Sequence, residues 1–138
     1  MDSVTIMESL AGVGSFFAYF TAAILILLLF CLIYGKVTPY PEMKLIREGR
    51  VAPAISFVGA MLGFIIPLAS AISNSVAFMD MLVWALIALL VQIAVFIVLR
   101  ILFKELCEKI AGGSLAEAIL LGGFSFAAGI LNAACMTY

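Results

Sequence analysis

Histidine is absent from this 138-residue chain. Its absence removes the usual general base, the commonest metal ligand and the haem axial ligand together. Charge is scarce as well: charged residues make up 11% of the chain, against roughly 25% in an ordinary soluble domain. Cysteine is limited to Cys31, Cys107 and Cys135, with no CxxC spacing, and two of these stand in apolar runs. They read as small hydrophobes plus one loop thiol, not as a disulfide or a metal set. No HExxH, GxSxG or phosphate-loop signature occurs. The sequence therefore offers no catalytic residue, no metal site and no cofactor site. A pI near 5.2 and a net charge of −1 leave no footprint for nucleic acid.

What is present is hydrophobicity, at 67% of residues and a mean hydropathy of +1.33. A soluble fold has too little polar surface to cover that much apolar material, so the excess must face lipid. Crossing the hydrocarbon core takes about 20 apolar residues in a helix. Four segments qualify: about Phe16 to Tyr34, Val51 to Ile72, Met81 to Phe103 and Leu115 to Met136. Continuous apolar runs without alternation exclude a β-barrel. The expected fold class is all-α integral membrane, one domain of four transmembrane helices. The first span is not read as a signal peptide, because no Lys or Arg precedes it and no small-residue cleavage site follows.

All seven basic residues fall in or beside two loops: Lys36, Lys44, Arg47 and Arg50 at the first, Arg100, Lys104 and Lys109 at the second. Under the positive-inside rule both loops are expected in the cytoplasm and both termini outside. Trp84, Tyr19 and Tyr138 are then expected toward the outer interface, Tyr34 and Tyr40 toward the inner. So lopsided a distribution argues against insertion both ways up.

Displaced by 64 residues, the two halves of the chain resemble each other. GRVAPAISFVG (Gly49 to Gly59) lies over GSLAEAILLGG (Gly113 to Gly123), with five identities. Repeat one covers about 16–72 and repeat two about 81–136. Each reads as a helical hairpin, and two tandem hairpins of one orientation imply a pseudo-twofold axis along the membrane normal. In the loop TPYPEMKLIREG, Pro41 suits a first helical position and Gly49 a helix end. Met43 and Ile46 can face lipid while Lys44 and Arg47 face headgroups, giving a short interfacial helix. The same basic surface, with Arg50, is a candidate docking site for a cytosolic partner.

Lipid gives helices no hydrophobic reason to associate, so close approach and hydrogen bonds must do it. Ser56, Gly59 and Gly63 form a small-residue stripe, and Pro67 removes the amide that would have bonded the Gly63 carbonyl. Two readings stand: packing with a bend, or a freed carbonyl lining a watery path. In the last helix Ser125, Ala128, Asn132 and Cys135 share a face, with Gly122 and Gly129 on an adjacent stripe. Asn132 is placed to hydrogen-bond across to the region of Pro67. Gln92, at the middle of the third span, must face a helix, a subunit or water. It serves either as interhelical glue or in permeation. Asp80 suits an N-cap or an outer cation site. Glu117 resembles a proton-coupling carboxylate, but Ser114 three residues earlier makes a capping box the simpler reading.

The run RVAPAISFVGAMLGFIIPLASAISNSVAFMDMLVWALIALLVQIAVFIVLRIL, with the closing GGFSFAAGILNAACMTY, resembles the YjfL-type family of small bacterial inner-membrane proteins, a domain-of-unknown-function family, number 350. The likeness rests on the Gly-x3-Gly-x3-Pro-Leu core, the Ser73 to Trp84 connection, Gln92 and Gly-Ile-Leu-Asn-Ala-Ala. Arg50 departs from the Asn expected there. The resemblance implies two hairpins in the bacterial inner membrane and no established activity. It also implies a genomic setting beside a PspA-like peripheral membrane protein and an ATP-grasp ligase.

Two functions follow as expectations. One is a non-catalytic scaffold or membrane-integrity component, with lipid bilayer and a peripheral cytoplasmic membrane protein as partners. The other is a homo-oligomeric channel or small-solute transporter with a path lined by Gln92, Asn132 and the Pro67 kink.

Overall fold

A computed structural model describes residues 3–137, and among them every regular element is helical. The order is α1 (Ser3–Val37), α2 (Glu42–Arg47), α3 (Val51–Asn74), α4 (Phe78–Leu102), α5 (Leu106–Ala111) and α6 (Leu115–Cys135). Helices α1, α3, α4 and α6 are long and apolar enough to cross a membrane. The starts of α3 and α6 fall where the apolar runs begin. α1 is longer than its apolar core: 35 residues at 1.5 Å each reach roughly 50 Å, well beyond a hydrocarbon layer of about 30 Å.

The centre of the bundle is the contact between α3 and α6. They run parallel and touch backbone to backbone. A Cβ on Gly59 would overlap the Gly122 Cα, one on Gly63 the Ser125 carbonyl oxygen, and one on Gly129 the Gly63 carbonyl oxygen. At Gly122 an added Cβ would stand 2.9 Å from the Ile55 carbonyl oxygen. The buried stripe of α6 is thus Ala118, Leu121, Gly122, Ser125 and Gly129. The face through Ser125, Ala128, Asn132 and Cys135 leaves the interior after Ser125, since Ala128 and Asn132 are half-buried and Cys135 is exposed. α3 runs as one helix through Pro67, which is buried. The carbonyl that Pro67 leaves without its helical donor lies against Gly129, where an α-carbon hydrogen can supply a weak contact.

α4 packs beside this pair, and α1 is held mainly by aromatics. Phe30 stacks on Phe64 at 4.4 Å and on Tyr34 at 5.4 Å, and Tyr34 meets Phe57 and Phe96 edge-on at 6.4 and 5.9 Å. Only Phe30 and Tyr34 of α1 are fully buried. Tyr34 and Tyr40 are therefore not interfacial anchors; both turn into the bundle, because each ring fills apolar space between helices. Trp84 and Tyr19 are half-buried near the opposite end, and Tyr138 lies outside the described residues.

The two short helices sit together at one end, hereafter the basic end, where Tyr40, Leu106 and Ile110 join one core cluster. Their geometry recurs at the offset of 64: α2 spans 42–47 and α5 spans 106–111. Gly49 and Gly113 both adopt positive φ, +84° and +99°, which glycine takes without strain. The closing backbone bonds correspond as well, Glu48 N–H to Lys44, Gly49 to Ile46 and Arg50 to Leu45 against Gly112 to Glu108, Gly113 to Ile110 and Ser114 to Lys109. The correspondence is not complete: Gly59 is pressed against α6, whereas its counterpart Gly123 faces open space.

Three local expectations change. α4 begins earlier than its apolar run, with Ala77 as N-cap, so Asp80 lies in the first turn and is not the cap. Ser114 is the N-cap of α6 without capping a backbone N–H; its hydroxyl donates to the Glu117 carboxylate, which also lies 3.6 Å from Lys109. Ile46 does not face outward with Met43 but is half-buried against the core.

Gly63→Ala and Gly129→Ala are expected to lower stability by about 1–3 kcal/mol or more, as forced overpacking does, while Gly123→Ala stays at or above the wild-type value. Reversible unfolding in mixed micelles measures both. Wild-type stability for Gly63→Ala is incompatible with the described contact.

Candidate functional site: a buried polar seam

The polar groups inside the bundle are not scattered. Gln92, at the middle of α4, is 0% exposed, and its Nε2 donates to the Ser125 carbonyl oxygen at 3.1 Å. That contact needs the glycine opposite: a Cβ on Gly63 would stand 2.7 Å from the same Nε2. Gly63, Gln92 and Ser125 are thus brought together where α3, α4 and α6 meet, with Gly59 one turn before them on α3 against Gly122 and Pro67 one turn beyond, both outside that contact. Asn132 is not part of this group. Seven residues beyond Ser125, it lies roughly 10 Å further along α6, half-buried with its Nδ2 unpartnered. The expected bond from Asn132 toward the Pro67 region is absent, and Gly129 occupies that crossing instead.

Below Gln92 the seam continues toward the basic end. The Tyr34 hydroxyl from α1 lies beside Ser125. The Tyr40 hydroxyl lies beside Ser56 and beside the carboxylate of Glu42. Ser56 donates its own hydroxyl to the Pro53 carbonyl oxygen at 3.0 Å, and Thr38 donates to Gly35 at 3.2 Å, which leaves oxygen lone pairs turned inward. Tyr34 Oη, Tyr40 Oη, both Glu42 oxygens, Ser125 Oγ and Gln92 Oε1 are buried without a hydrogen bond in good geometry. Buried polar atoms in folded proteins are nearly always satisfied, so a run of them is unusual.

Glu42 is the member with a charge at stake. It is 3% exposed, and loss of solvent pushes its carboxyl up to about 7, against the pull of neighbouring Tyr40 and Thr38. Burial, with Glu42 nearby, likewise pushes the Tyr40 phenol up. The periodicity of α2 carried a signal for this. At 100° per residue Glu42 shares its face with Leu45 and Ile46, opposite Lys44 and Arg47. A carboxylate on the apolar face of a short helix points inward. Reading that loop as an interfacial helix passes over Glu42, and reading Tyr34 and Tyr40 as inner-interface residues leaves their buried hydroxyls unnoticed.

Lys44, Arg47 and Arg50 are exposed at the basic end, and no ion pair among the described residues engages them. Asp80 is half-buried at the other end. Among the described residues no group of His, Cys, Asp or Glu is arranged to hold a metal.

A family model described as Domain of Unknown Function (DUF350) matches residues 7–136. The "UPF0719 inner membrane protein YjfL" of Escherichia coli strain K12 is 39% identical over 132 residues, covering 96% of this chain and all of that protein, and its namesake in Escherichia coli O157:H7 gives the same figures. No solved structure matches significantly.

Gln92→Leu is expected to lower stability by about 0.6–2 kcal/mol, the range of one interhelical hydrogen bond in a membrane, with the fold retained. Unfolding in mixed micelles together with circular dichroism provides the check. Loss of helical content in this variant is the contrary result.

Proposed function

This chain belongs to the DUF350 family, and we propose that it acts there as a non-catalytic scaffold of the bacterial inner membrane, holding a peripheral cytoplasmic protein at its basic end. The observation that carries this reading is where the polar chemistry goes. The amide at mid-span is sealed between three helices with its Nε2 committed to a helix–helix bond, whereas Lys44, Arg47 and Arg50 are left exposed together. A group that guides a solute must meet water; a group that fastens helices must not. The inner-membrane name of the Escherichia coli relatives and the four apolar helices support the location.

The basic loops lie in the cytoplasm and the termini outside, as the seven-to-zero distribution of Lys and Arg supports. The two halves are copies of one hairpin related by an axis along the membrane normal; the matching bounds, glycine conformations and closing bonds of α2 and α5 support this. Copies of the bundle associate through the apolar groove between α3 and α6, about 730 Å³, which is lined by Gly59, Gly122 and Gly123 among others.

A channel reading has two observations in its favour, the unpartnered Asn132 Nδ2 and the unpartnered Gln92 Oε1. Against it, Gln92 and Pro67 lie inside a single bundle, so a path lined by all three residues has to run through close-packed helices.

Replacing Lys44, Arg47 and Arg50 by Gln removes about 1 kcal/mol of attraction per residue at an anionic surface. Retention of a cross-linked peripheral partner is therefore expected to fall roughly a hundredfold, with Gln92→Leu leaving it unchanged. Proteoliposomes are expected to leak K+, Na+, Cl− and small polyamines no faster than empty vesicles. Flux above that level, abolished by Gln92→Leu, overturns the scaffold in favour of the channel.

A further inference from the structure

Glu42 is buried, yet it has no counter-charge. No Lys or Arg among the described residues forms an ion pair with it, and Lys44 and Arg47 of the same helix point away into the open. The groups around it come from four elements. α1 presents Cys31 and Tyr34, the connecting segment Tyr40 and Thr38, and α5 Cys107. α3 presents Ser56 beside Tyr40 and carries no titratable residue. Every one of these neighbours is neutral as the protein stands, or becomes negative if it ionises.

An ionised carboxylate can only accept, and here the Tyr40 hydroxyl is the neighbour free to donate to it, since Thr38 donates to Gly35. A carboxylic acid brings an O–H of its own. That hydrogen meets an oxygen already facing it, on Tyr40, and through Tyr40 the lone pairs of Ser56. Unpaired charge in an apolar interior is so costly that such groups take up a proton instead. The two roomiest grooves described, against Ile55 and Gly122 and against Val95 and Ala128, are not lined by Glu42, and a proton is a ligand that needs no volume.

We infer that Glu42 is a proton-binding site: the bundle holds it as the neutral acid while α2 is docked, and its ionisation loosens α2 from the basic end. The inference is independent of the scaffold reading, since it stands on the buried carboxylate alone.

The direction of the pH effect follows from the raised value. Released from the bundle, Glu42 titrates near 4.5; docked, it titrates at about 7. Below the lower value both forms are neutral and docking has full strength. Between the two the released form loses its proton first, so docking weakens by about tenfold per pH unit. Above the higher value both are ionised and no further loss follows. Acidification therefore tightens the basic end.

Full-length protein in lipid nanodiscs tests this by two measurements between about pH 5 and about pH 9. Infrared difference spectra are expected to show a protonated carboxyl band that survives well above the ordinary carboxylate range, disappears with a midpoint near neutrality and is missing in Glu42→Gln. Tyr40→Phe, which removes a donor to the carboxylate, is expected to move that midpoint upward. Hydrogen exchange of the α2 amides is expected to be at least about tenfold faster in wild type than in Glu42→Gln at the alkaline end, and equal at the acid end. A band that titrates in the ordinary carboxylate range overturns the proposal. So does equal α2 exchange in the two proteins at alkaline pH, or a carboxylate ionised throughout that responds to replacing Na+ or K+ by choline.

Discussion

The approach of α3 to α6 at backbone distance is the constraint from which the remaining features follow. Lipid is as apolar as a leucine side chain, so these helices gain nothing by hiding hydrophobic surface from it. What holds them is dispersion across a surface close enough to matter, and glycine is the residue that lets two backbones come that near. Gly59 against Gly122 and Gly63 against Gly129 set the separation. Once it is set, the Gln92 amide reaches the Ser125 carbonyl, and the carbonyl left over by Pro67 is covered. A glycine pair, a proline and a mid-span amide are three parts of one arrangement.

Most of the architecture was legible in the residues, because the bilayer permits few alternatives. Four apolar runs became four long helices, two of them starting at the residues expected. An amide facing acyl chains is costly, so the sequence turns Gln92 toward a helix, a subunit or water, and in the fold it meets α6 at Ser125. The errors cluster at helix ends and in the loop. Asp80 has a side chain suited to an N-cap or an outer cation site, but Ala77 begins the helix and Asp80 falls in its first turn. Ser114 and Glu117 bond each other in place of the backbone. Asn132 shares a helical face with Ser125, yet the crossing of α3 and α6 turns that face out of the contact before Asn132 is reached; the crossing geometry of two helices is a tertiary property that one helix does not encode.

The inward-facing end of the loop was hidden for a different reason. Aromatic residues at the edge of an apolar run ordinarily anchor at the membrane interface, and Tyr34 and Tyr40 invited that reading. Here the space between α1, α3 and α4 is wide enough for rings, and Phe30, Phe57, Phe64 and Phe96 supply walls for them. A tyrosine in such a place brings its hydroxyl along, and each hydroxyl then needs company. Ser56, Ser125 and Glu42 stand where that company is required. The seam of oxygens is thus a by-product of filling the gap with tyrosine and not phenylalanine, and it is also what gives the bundle its chemistry.

The parallel contact of α3 with α6 joins segments more than fifty residues apart, and this bears on the protein's birth. While the ribosome is still at work on α4 and α5, the exposed carbonyl of Gly63 has no cover, because Gly129 has not been made. The half-built chain is then a set of inserted helices without a centre, vulnerable to membrane quality control. Arrival of α6 closes the bundle in one step, so a product that stops before Leu115 lacks the centre on which the other helices pack.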